Sequence, residues 1–304
     1  MSKKFEVEKD FHNTRFDRWF KNKVLDIPQG LIEKIIRKNQ VKINGKKTKS
    51  AYRVQESDIV EVFQIEKIKQ TKKSIITQYI PTNTERDKYD DFIIEDNDNF
   101  VVINKPSGIA VQSGTKSFKN VVDTLRETKY FDNAKPFIVH RLDKETSGIL
   151  IVAKNREYAQ LFTSLFRIRK IHKTYLAVVY GEVKKDIKVL EGDLILYENN
   201  KKFIQKATSY LKILKSNNEY SLLELRPVTG RKHQLRKQLY NIGNSIIGDD
   251  KYYVKRSTVS IKSKNLMLHA YEIKFMINNV KYNFKAEFNK EFKDFLNKKN
   301  LNIF

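Results

Sequence analysis

The chain has 304 residues, 40% of them hydrophobic and 12% aromatic, which is enough to bury the core of one large domain or two smaller ones. Its 60 Lys and Arg against 36 Asp and Glu leave a formal net charge of +24, which favours a polyanionic partner such as nucleic acid, although a lysine-rich proteome would give a similar balance. Cysteine is absent, which excludes disulfides, thiolate zinc sites and cysteine nucleophiles.

The N-terminal segment lacks the apolar core of a secretory signal. No apolar run approaches the roughly 20 residues that a membrane-spanning helix needs. We therefore expect a cytoplasmic protein that makes no use of a membrane.

Residues 14–63 carry the first set of predicted elements. Aromatic residues recur at helical spacing between Phe16 and Phe20, and a second helix, Gly30–Lys38, is predicted after Pro28. Apolar alternation then runs into Asn44-Gly45, a strong hairpin signal. Strands are predicted at Val41–Ile43 and Asp58–Val62.

Residues 64–88 are polar, lack sustained periodicity and contain Pro81, which predicts a linker. After it, residues 89–304 alternate irregularly between strand and helix patterns, which favours a mixed α+β domain with a largely antiparallel sheet. One helix, 155–166, is predicted to be capped by Asn155. Strands are predicted at 92–95, 100–104, 149–153, 175–180, 220–225, 267–269, 273–277 and 282–286.

The first region resembles the S-four-type RNA-binding module over about residues 14–62. The resemblance rests on Arg15-Phe16-Asp17 at the first helix, on the helix Gly30–Lys38 and on the Val-Lys-Ile-Asn-Gly that follows it. It implies a basic edge facing RNA phosphates, formed by Arg37, Lys38, Lys42, Lys46 and Lys47. The alternative is a small domain whose lysines only keep it soluble.

Common nucleotide-enzyme and metalloenzyme signatures are missing. There is no glycine-rich dinucleotide loop, no phosphate loop, no Gly-x-Ser-x-Gly and no His-Glu-x-x-His, and the five histidines have no zinc-ligand spacing. This favours a mechanism that uses neither cofactor nor metal. Four polar clusters are left as candidates for chemistry, namely Lys105–Val111, His140–Leu150, Lys173–Tyr175 and Val228–Arg236.

The cluster His140–Leu150 begins with a polar loop between two apolar strands, so the scaffold displays these side chains instead of burying them. Asp143 lies there among cationic residues, which favours its ionised form as a nucleophile or base. Taken alone, the loop is equally consistent with a turn in which Asp143 only pairs with Arg141 or Lys144.

Together, the four clusters resemble the bacterial rRNA and tRNA pseudouridine synthases that carry His-Arg-Leu-Asp-x-x-Thr-Ser-Gly. The resemblance covers most of residues 89–290 and is most specific in the run 140–150. The added N-terminal module is similar to that of the subset acting on large-subunit ribosomal RNA. Val228–Arg236 and the Ser113-Gly114 turn are most similar to the C type, which modifies uridines around the peptidyl-transferase region.

The resemblance implies that the uracil is detached from its anomeric carbon, rotated and rejoined through carbon 5. It assigns the essential carboxylate to Asp143, the pocket tyrosine to Tyr175 and the arginine that pairs with the aspartate to Arg236. For Tyr175 a plain core position is the alternative, because it heads an apolar strand.

Other positions carry expectations from the same resemblance. Leu268 is expected to line the uracil pocket and His269 to be structural. Gln112 and Lys237-Gln238 depart from the family pattern, which puts the choice of target in doubt more than activity. Contacts with RNA are expected from His140, Arg141, Arg231 and His233.

The sequence thus predicts a monomeric, cofactor-free enzyme that isomerises uridines in large-subunit ribosomal RNA. The alternatives are a tRNA-modifying enzyme of the same family and a non-catalytic RNA-binding factor in ribosome assembly. Retention of Asp143, Tyr175 and Arg236 together argues against a decayed, non-catalytic site.

Overall fold

The structure, a computed structural model, describes residues 2–67, 79–113, 119–132, 134–198, 201–253 and 265–303. The chain divides into two units, Met1–Thr77 and Gln78–Phe304. Residues 68–78 of the predicted linker and Gly114 of the Ser113-Gly114 turn lie outside the described residues. No helix in the described ranges is long and apolar enough to cross a membrane.

Unit 1 is built on a four-stranded antiparallel sheet and two helices. Its elements are β1 (Ser2–Glu6), β2 (Thr14–Arg15), α1 (Phe16–Lys23), α2 (Gln29–Arg37), β3 (Val41–Ile43), β4 (Lys46–Lys47), β5 (Arg53–Val54) and β6 (Ile59–Phe63). The sheet order is β1-β6-β3-β4, and β2 pairs separately with β5. Both predicted helices and the hairpin at Asn44-Gly45 are present, and Trp19 and Ile32 are fully buried between helices and sheet.

Unit 2 is built on a ten-stranded sheet. Its elements are α3 (Asn83–Asp87), β7 (Ile93–Asp96), β8 (Phe100–Lys105), α4 (Val121–Arg126), β9 (Phe137–Ile138), β10 (Ser147–Ala153), α5 (Arg156–Arg167), β11 (His172–Tyr180), β12 (Val189–Glu198), β13 (Lys201–Ser216), β14 (Tyr220–Pro227), α6 (Gln234–Asn241), β15 (Leu268–Ile277), β16 (Val280–Lys285) and α7 (Lys290–Lys298). The strand order is β12-β13-β14-β11-β15-β10-β8-β7, with β16 on β15 and β9 on β10.

The predicted α+β class with a largely antiparallel sheet is confirmed, since the pairings among the described strands are antiparallel except that of β10 with β15. The Asn155 side chain caps α5 by accepting from the Tyr158 N–H, as predicted. The strands predicted at 267–269 and 273–277 are one strand, β15, because pairing with β11 carries the ladder through. Helix α3 lies inside the segment 64–88 that the sequence treats as linker.

Strand β10 fixes where the site forms. All seven of its residues are buried, because both faces of the sheet are covered. Leu150 packs into the cluster that contains α4, and Ile151 packs on the opposite side with Phe162 of α5. At its start, Gly148 lies so close to β15 that a Cβ atom would stand 2.3 Å from the Ala270 carbonyl oxygen. The loop entering β10 is therefore tied to the middle of the sheet.

Candidate active site

The loop between β9 and β10 presents Asp143 to a cleft of about 650 Å³. Leu142, 5% exposed, anchors the loop in the apolar cluster beneath it, and the Thr146 N–H donates to the Asp143 carbonyl at 3.2 Å. The Asp143 side chain is 19% exposed. Its carboxylate thus stands at the boundary between the core and the cleft.

The buried ammonium group of Lys105, at the end of β8, supports this loop from the strand next to β10 in the sheet. Lys105, fully buried, donates from Nζ to the carbonyl oxygens of Pro106 at 2.7 Å, Ile109 at 3.0 Å and Lys144 at 3.2 Å. The Ser107 hydroxyl adds a 2.6 Å hydrogen bond to the Glu145 carbonyl. Burial lowers the pKa of Lys105 to about 7, while the charges of Glu145 and Asp143 oppose the shift. The sequence singles out this cluster without assigning it a task, and the structure shows that it supports the Asp143 loop.

His140 and Arg141 lie at the cleft in different ways. The His140 Nε2 accepts the Ile151 N–H at 2.9 Å, and its ring packs on Phe166 with centroids 4.7 Å apart. Burial, and then the charge of Lys173, lowers the pKa of His140 to about 3, so its ring is neutral. Arg141 is exposed at the same cleft. Any contact of His140 with RNA would therefore be made by an uncharged ring with one nitrogen already occupied.

Tyr175 occupies the cleft and the core at once. It lies at a register shift between β11 and β15 and packs against two of the hydrophobic clusters, and it also lines the cleft. Burial, followed by the charge of Asp143, raises the pKa of the Tyr175 phenol well above its usual value. The hydroxyl is thus protonated at neutral pH and close enough to Asp143 to feel its charge.

Arg236 is buried beside the cleft, but its ion-pair partner differs from the predicted one. Its Nε and Nη2 donate to the two Asp249 carboxylate oxygens at 2.7 and 2.6 Å. Its Nη1 lies 3.5 Å from Glu145 Oε2 and makes no hydrogen bond among the described residues. The prediction that Arg236 pairs directly with Asp143 is therefore wrong for this structure: one edge of the guanidinium is already occupied by Asp249.

The side chain that contacts the Asp143 carboxylate is His233, whose Nε2 lies 3.7 Å from Asp143 Oδ1. His233 precedes α6 in a left-handed conformation with φ 53°, a conformation that non-glycine residues seldom adopt. Burial lowers the pKa of His233, the Asp143 carboxylate opposes this, and Arg236 lowers it again. His233 was expected to contact RNA, and the structure places it next to the catalytic candidate as well.

The cleft brings together every site residue predicted in unit 2. Its walls come from the Asp143 loop, the end of α5, the start of β11 and the segment before α6. Asp143 is the one carboxylate among the lining residues, and the rest of the charge is positive. The predicted residues that line it are Asp143, Tyr175, Arg236, His140, Arg141, Arg231, His233 and Leu268.

Four lining cations were not assigned a role from the sequence, and one of them is the exposed Lys232. Arg167 and Arg169 are exposed at the end of α5, and Lys173 is half-buried at the start of β11. Burial lowers the pKa of Lys173. The run Arg167-Ile168-Arg169-Lys170 is a visible basic signal, but only the turn from α5 into β11 directs two of its residues to the cleft.

The five cations predicted to bind RNA in unit 1 lie between the end of α2 and the β3–β4 hairpin. Arg37, near the end of α2, and Lys46 and Lys47 of the hairpin are exposed, whereas Lys42 is half-buried with its Nζ 5.6 Å from the centre of the Phe63 ring. None of the five forms an ion pair within the described part of the chain. Their charge is therefore not neutralised by neighbouring carboxylates.

Comparison with known proteins decides the family. The chain is 36% identical over 276 residues to the ribosomal large subunit pseudouridine synthase C of Rickettsia felis, covering 86% of this chain and 88% of the relative. It is 30% identical over 282 residues to the protein of the same name from Vibrio vulnificus, covering 89% and 87%. The chain belongs to the RNA pseudouridine synthase family.

Two further matches agree with this assignment. The family model for RNA pseudouridylate synthase matches residues 99–241, a range that contains Asp143, Tyr175 and Arg236. The solved structure of human RNA pseudouridylate synthase domain containing 4 has a TM-score of 0.62 at 25% identity, over 72% of this chain and 96% of that one. The cleft therefore lies in the part of the chain that defines the synthase family, and unit 1 precedes it.

Proposed function

We propose that this pseudouridine synthase isomerises specific uridines of large-subunit ribosomal RNA, with Asp143 as the catalytic carboxylate. The observation that carries the proposal is the cleft itself, in which one carboxylate stands among cations beside a protonated tyrosine. Its volume of about 650 Å³ lies within the roughly 300–1,000 Å³ range of small-molecule sites, which suits one nucleotide unit rather than a folded RNA. The names of the relatives support the ribosomal target.

The target uridine must leave its stack to reach Asp143, because the carboxylate lies inside the cleft. Exposed cations at the rim, Arg141 and Arg231 among them, receive the flanking phosphates. Leu268, 3% exposed, offers an apolar surface to the base, and His140 offers a neutral ring. The rim thus holds the backbone while the uracil enters.

Asp143 then promotes cleavage of the bond between the anomeric carbon and N1, as a nucleophile at that carbon or as the base that removes a ribose proton. The detached uracil turns and is joined through its carbon 5, so atoms are conserved without any further reactant. In that step carbon 5 loses a proton and N1 gains one. The Tyr175 hydroxyl, protonated at neutral pH, donates its proton to N1, and the oxygen then takes up the proton that leaves carbon 5, so that no net proton is consumed. Arg236 and His233 line the cleft together with Asp143, and His233 Nε2 lies 3.7 Å from its carboxylate.

Unit 1 contributes affinity in this proposal. Its basic edge binds RNA by phosphate contacts in the manner of an S-four-type module, while the chemistry takes place in unit 2. The protein acts as a monomer in the cytoplasm and needs no cofactor.

The test replaces Asp143 and measures uridine conversion. We expect Asp143→Asn to lower the rate of pseudouridine formation at least about 10⁴-fold while affinity for RNA is retained, because only the reacting group is lost. Asp186→Asn, at an exposed carboxylate of unit 2, is the matched control and should convert uridine at the wild-type rate.

Mapping by chemical adduct and primer extension, on ribosomal RNA from cells with and without the gene, identifies the target. Stops on large-subunit RNA that return with wild-type but not Asp143→Asn protein support the proposal. Stops confined to tRNA, or full activity of Asp143→Asn, would overturn the target or the residue respectively.

A further inference from the structure

Behind the cleft, the segment 246–253 contacts two of the side chains that face Asp143. Gly248 allows the segment to approach closely, since a Cβ atom there would stand 2.1 Å from the Asn265 carbonyl oxygen and the residue has φ +78°. Asp249 and Tyr252 follow it, and neither is among the residues that line the cleft. They form a second layer that touches the reacting groups only through other residues.

Asp249 holds Arg236 by one edge. Its carboxylate, fully buried, accepts two hydrogen bonds from the guanidinium and two more from the Lys251 and Tyr252 N–H groups at 2.9 and 3.0 Å. Such a bidentate pair fixes the plane of the guanidinium. Nη1 is then the nitrogen that points away from Asp249, and it is buried without a hydrogen-bond partner in the described residues. Leaving a buried donor unpaired costs free energy. Nη1 is therefore available to donate a hydrogen bond to a group that enters the cleft.

Tyr252 holds His233 in a similar way. The Tyr252 hydroxyl lies 3.0 Å from His233 Nδ1, on the side of the ring opposite the Nε2 that faces Asp143 at 3.7 Å. The Tyr252 ring also lies under the Arg236 guanidinium, 5.4 Å from its central carbon. One aromatic side chain therefore contacts both His233 and Arg236.

The arrangement selects one tautomer of His233. If the hydroxyl donates to Nδ1, the proton of the neutral ring is on Nε2 and points at the Asp143 carboxylate. The opposite tautomer would direct the Nε2 lone pair at a negative oxygen, which is repulsive. A ring held in this way can shorten the 3.7 Å contact into a hydrogen bond when RNA closes the cleft, since catalytic contacts are often long without substrate.

We propose that Asp249 and Tyr252 are positioning residues for the uridine-isomerising site, Asp249 orienting Arg236 Nη1 and Tyr252 presenting the His233 Nε2–H to Asp143. The proposal rests on the proposed function. Groups of this kind usually change activity by about 10- to 100-fold when removed, although they never touch the substrate.

Tyr252→Phe removes only the hydroxyl, and Tyr253→Phe removes the hydroxyl of the exposed neighbour as a control. We expect Tyr252→Phe to lower the single-turnover rate about tenfold with RNA affinity within about twofold of wild type. Tyr253→Phe should match the wild type in both. Equal rates for the two variants would overturn the role of Tyr252.

Nitrogen NMR of the histidine rings tests the geometry without RNA or turnover, so it separates this inference from the proposed function. The chain has five histidines, and a His233→Gln spectrum assigns the one of interest. Wild-type His233 should carry its proton on Nε2 and show a hydrogen-bonded Nδ1 signal that moves to the unbonded position in Tyr252→Phe. A protonated Nδ1 in the wild type would refute the proposed tautomer even if the enzyme is fully active.

Asp249→Asn tests the other half, with Asp186→Asn, at an exposed carboxylate away from Arg236, as its control. We expect Asp249→Asn to lower the single-turnover rate about tenfold or more, because the guanidinium loses its charged anchor, while Asp186→Asn has little effect. A folded Asp249→Asn protein with the wild-type rate would overturn the role of Asp249. Should Asp249→Asn fail to fold, Asp249→Glu, which keeps the charge but displaces the guanidinium, is expected to show the same loss of rate.

Discussion

Units 1 and 2 hold their charges in opposite ways. In unit 1 the cations that matter lie on the surface, at the end of a helix and on an open hairpin. In unit 2 several decisive charges are buried: Arg236 is 1% exposed, Lys105 0% and Asp249 7%. The same contrast holds for the backbone, since Gly45 in the unit 1 hairpin has open space around it and Gly148 in unit 2 is closed in by β15.

Under the proposed function, this difference divides the work of the chain between RNA binding in unit 1 and chemistry in unit 2. An exposed lysine stays hydrated and attracts RNA phosphates without needing a fixed position. Several such lysines together therefore contribute much to RNA affinity, and the exact place of each matters little. A buried charge needs a partner at a fixed distance, because desolvation would otherwise exclude it. Unit 1 is therefore suited to affinity and unit 2 to the placement of a few atoms, and each prediction below tests one side of that division.

The largest effect is expected at the closest backbone contact. Gly148→Ala would place a Cβ atom 2.3 Å from the Ala270 oxygen at φ +106°, so we expect it to lower the free energy of unfolding by about 3 kcal/mol or more. Gly45→Ala, also at positive φ but with nothing within 4 Å, should cost only about 1 kcal/mol. Denaturant unfolding of each variant measures both, and equal losses would erase the contrast between open and enclosed backbone.

The next effect concerns the basic edge of unit 1. Replacing its five cations by Ala should weaken RNA binding on the order of hundredfold at about 0.1 M salt and flatten the salt dependence, while the single-turnover rate at saturating RNA is unchanged. A Lys3→Ala/Lys9→Ala variant, at exposed lysines elsewhere in unit 1, controls for charge alone. If the rate at saturation falls with the affinity, unit 1 takes part in the chemistry and the division fails. The variant carries Ala at Arg37, Lys38, Lys42, Lys46 and Lys47.

A smaller effect is expected from a buried histidine of unit 2. His269 accepts from or donates to the Ser147 hydroxyl at 2.9 Å and the Ala286 carbonyl at 3.1 Å, and burial lowers its pKa from the usual 6.5 to about 4. Between those values the unfolded chain binds a proton there that the folded chain excludes, so acidification removes stability. We expect a loss of about 2 kcal/mol from this group between about pH 7 and pH 5.

The measurement compares unfolding free energies at the two pH values. His269→Gln should be less stable than the wild type at neutral pH but lose less on acidification, because no ring is left to titrate. The exposed His172→Gln should keep the wild-type pH dependence. If the stability of His269→Gln depended on pH as strongly as that of the wild type, the buried His269 ring would not contribute to the pH dependence.

The smallest effect sharpens the comparison from within unit 2. Arg169 is exposed at the rim of the cleft, so we expect it to behave like a unit 1 cation, with Arg169→Ala lowering RNA affinity about threefold and leaving the single-turnover rate unchanged. Lys170→Ala, the exposed neighbour that does not line the cleft, should change neither. A rate loss in Arg169→Ala would show that position in unit 2, rather than exposure, decides what a charge does.

Much of this molecule is predictable from sequence because its signals are local. The Asn155 cap, the helical spacing around Trp19 and the Asn44-Gly45 turn all act within a few residues, and each appears where it was predicted. The order of the motifs also predicted that Asp143 and Tyr175 belong to one site, and both line the same cleft. Local pattern and motif together were enough for the fold class and the cleft.

The partners of buried charges were not predictable in this way. The sequence offers Arg236 several carboxylates, and nothing local distinguishes Asp249, thirteen residues later, from Asp143. What decides is the close approach at Gly248, which depends on a contact with Asn265 from another segment. The long β12–β13 hairpin was also missed, since its alternation of charged and apolar residues is indistinct in so basic a chain.

The three hydrogen bonds that Lys105 donates all end on backbone carbonyls, and the one that reaches the Asp143 loop ends on Lys144. Every amino acid supplies a backbone carbonyl, so this hydrogen bond does not depend on which side chain stands at position 144. The side chain there is free to be exchanged while the carboxylate beside it keeps its place. A variant library confined to position 144 would therefore vary the exposed surface beside Asp143 without disturbing the hydrogen bond that supports the loop.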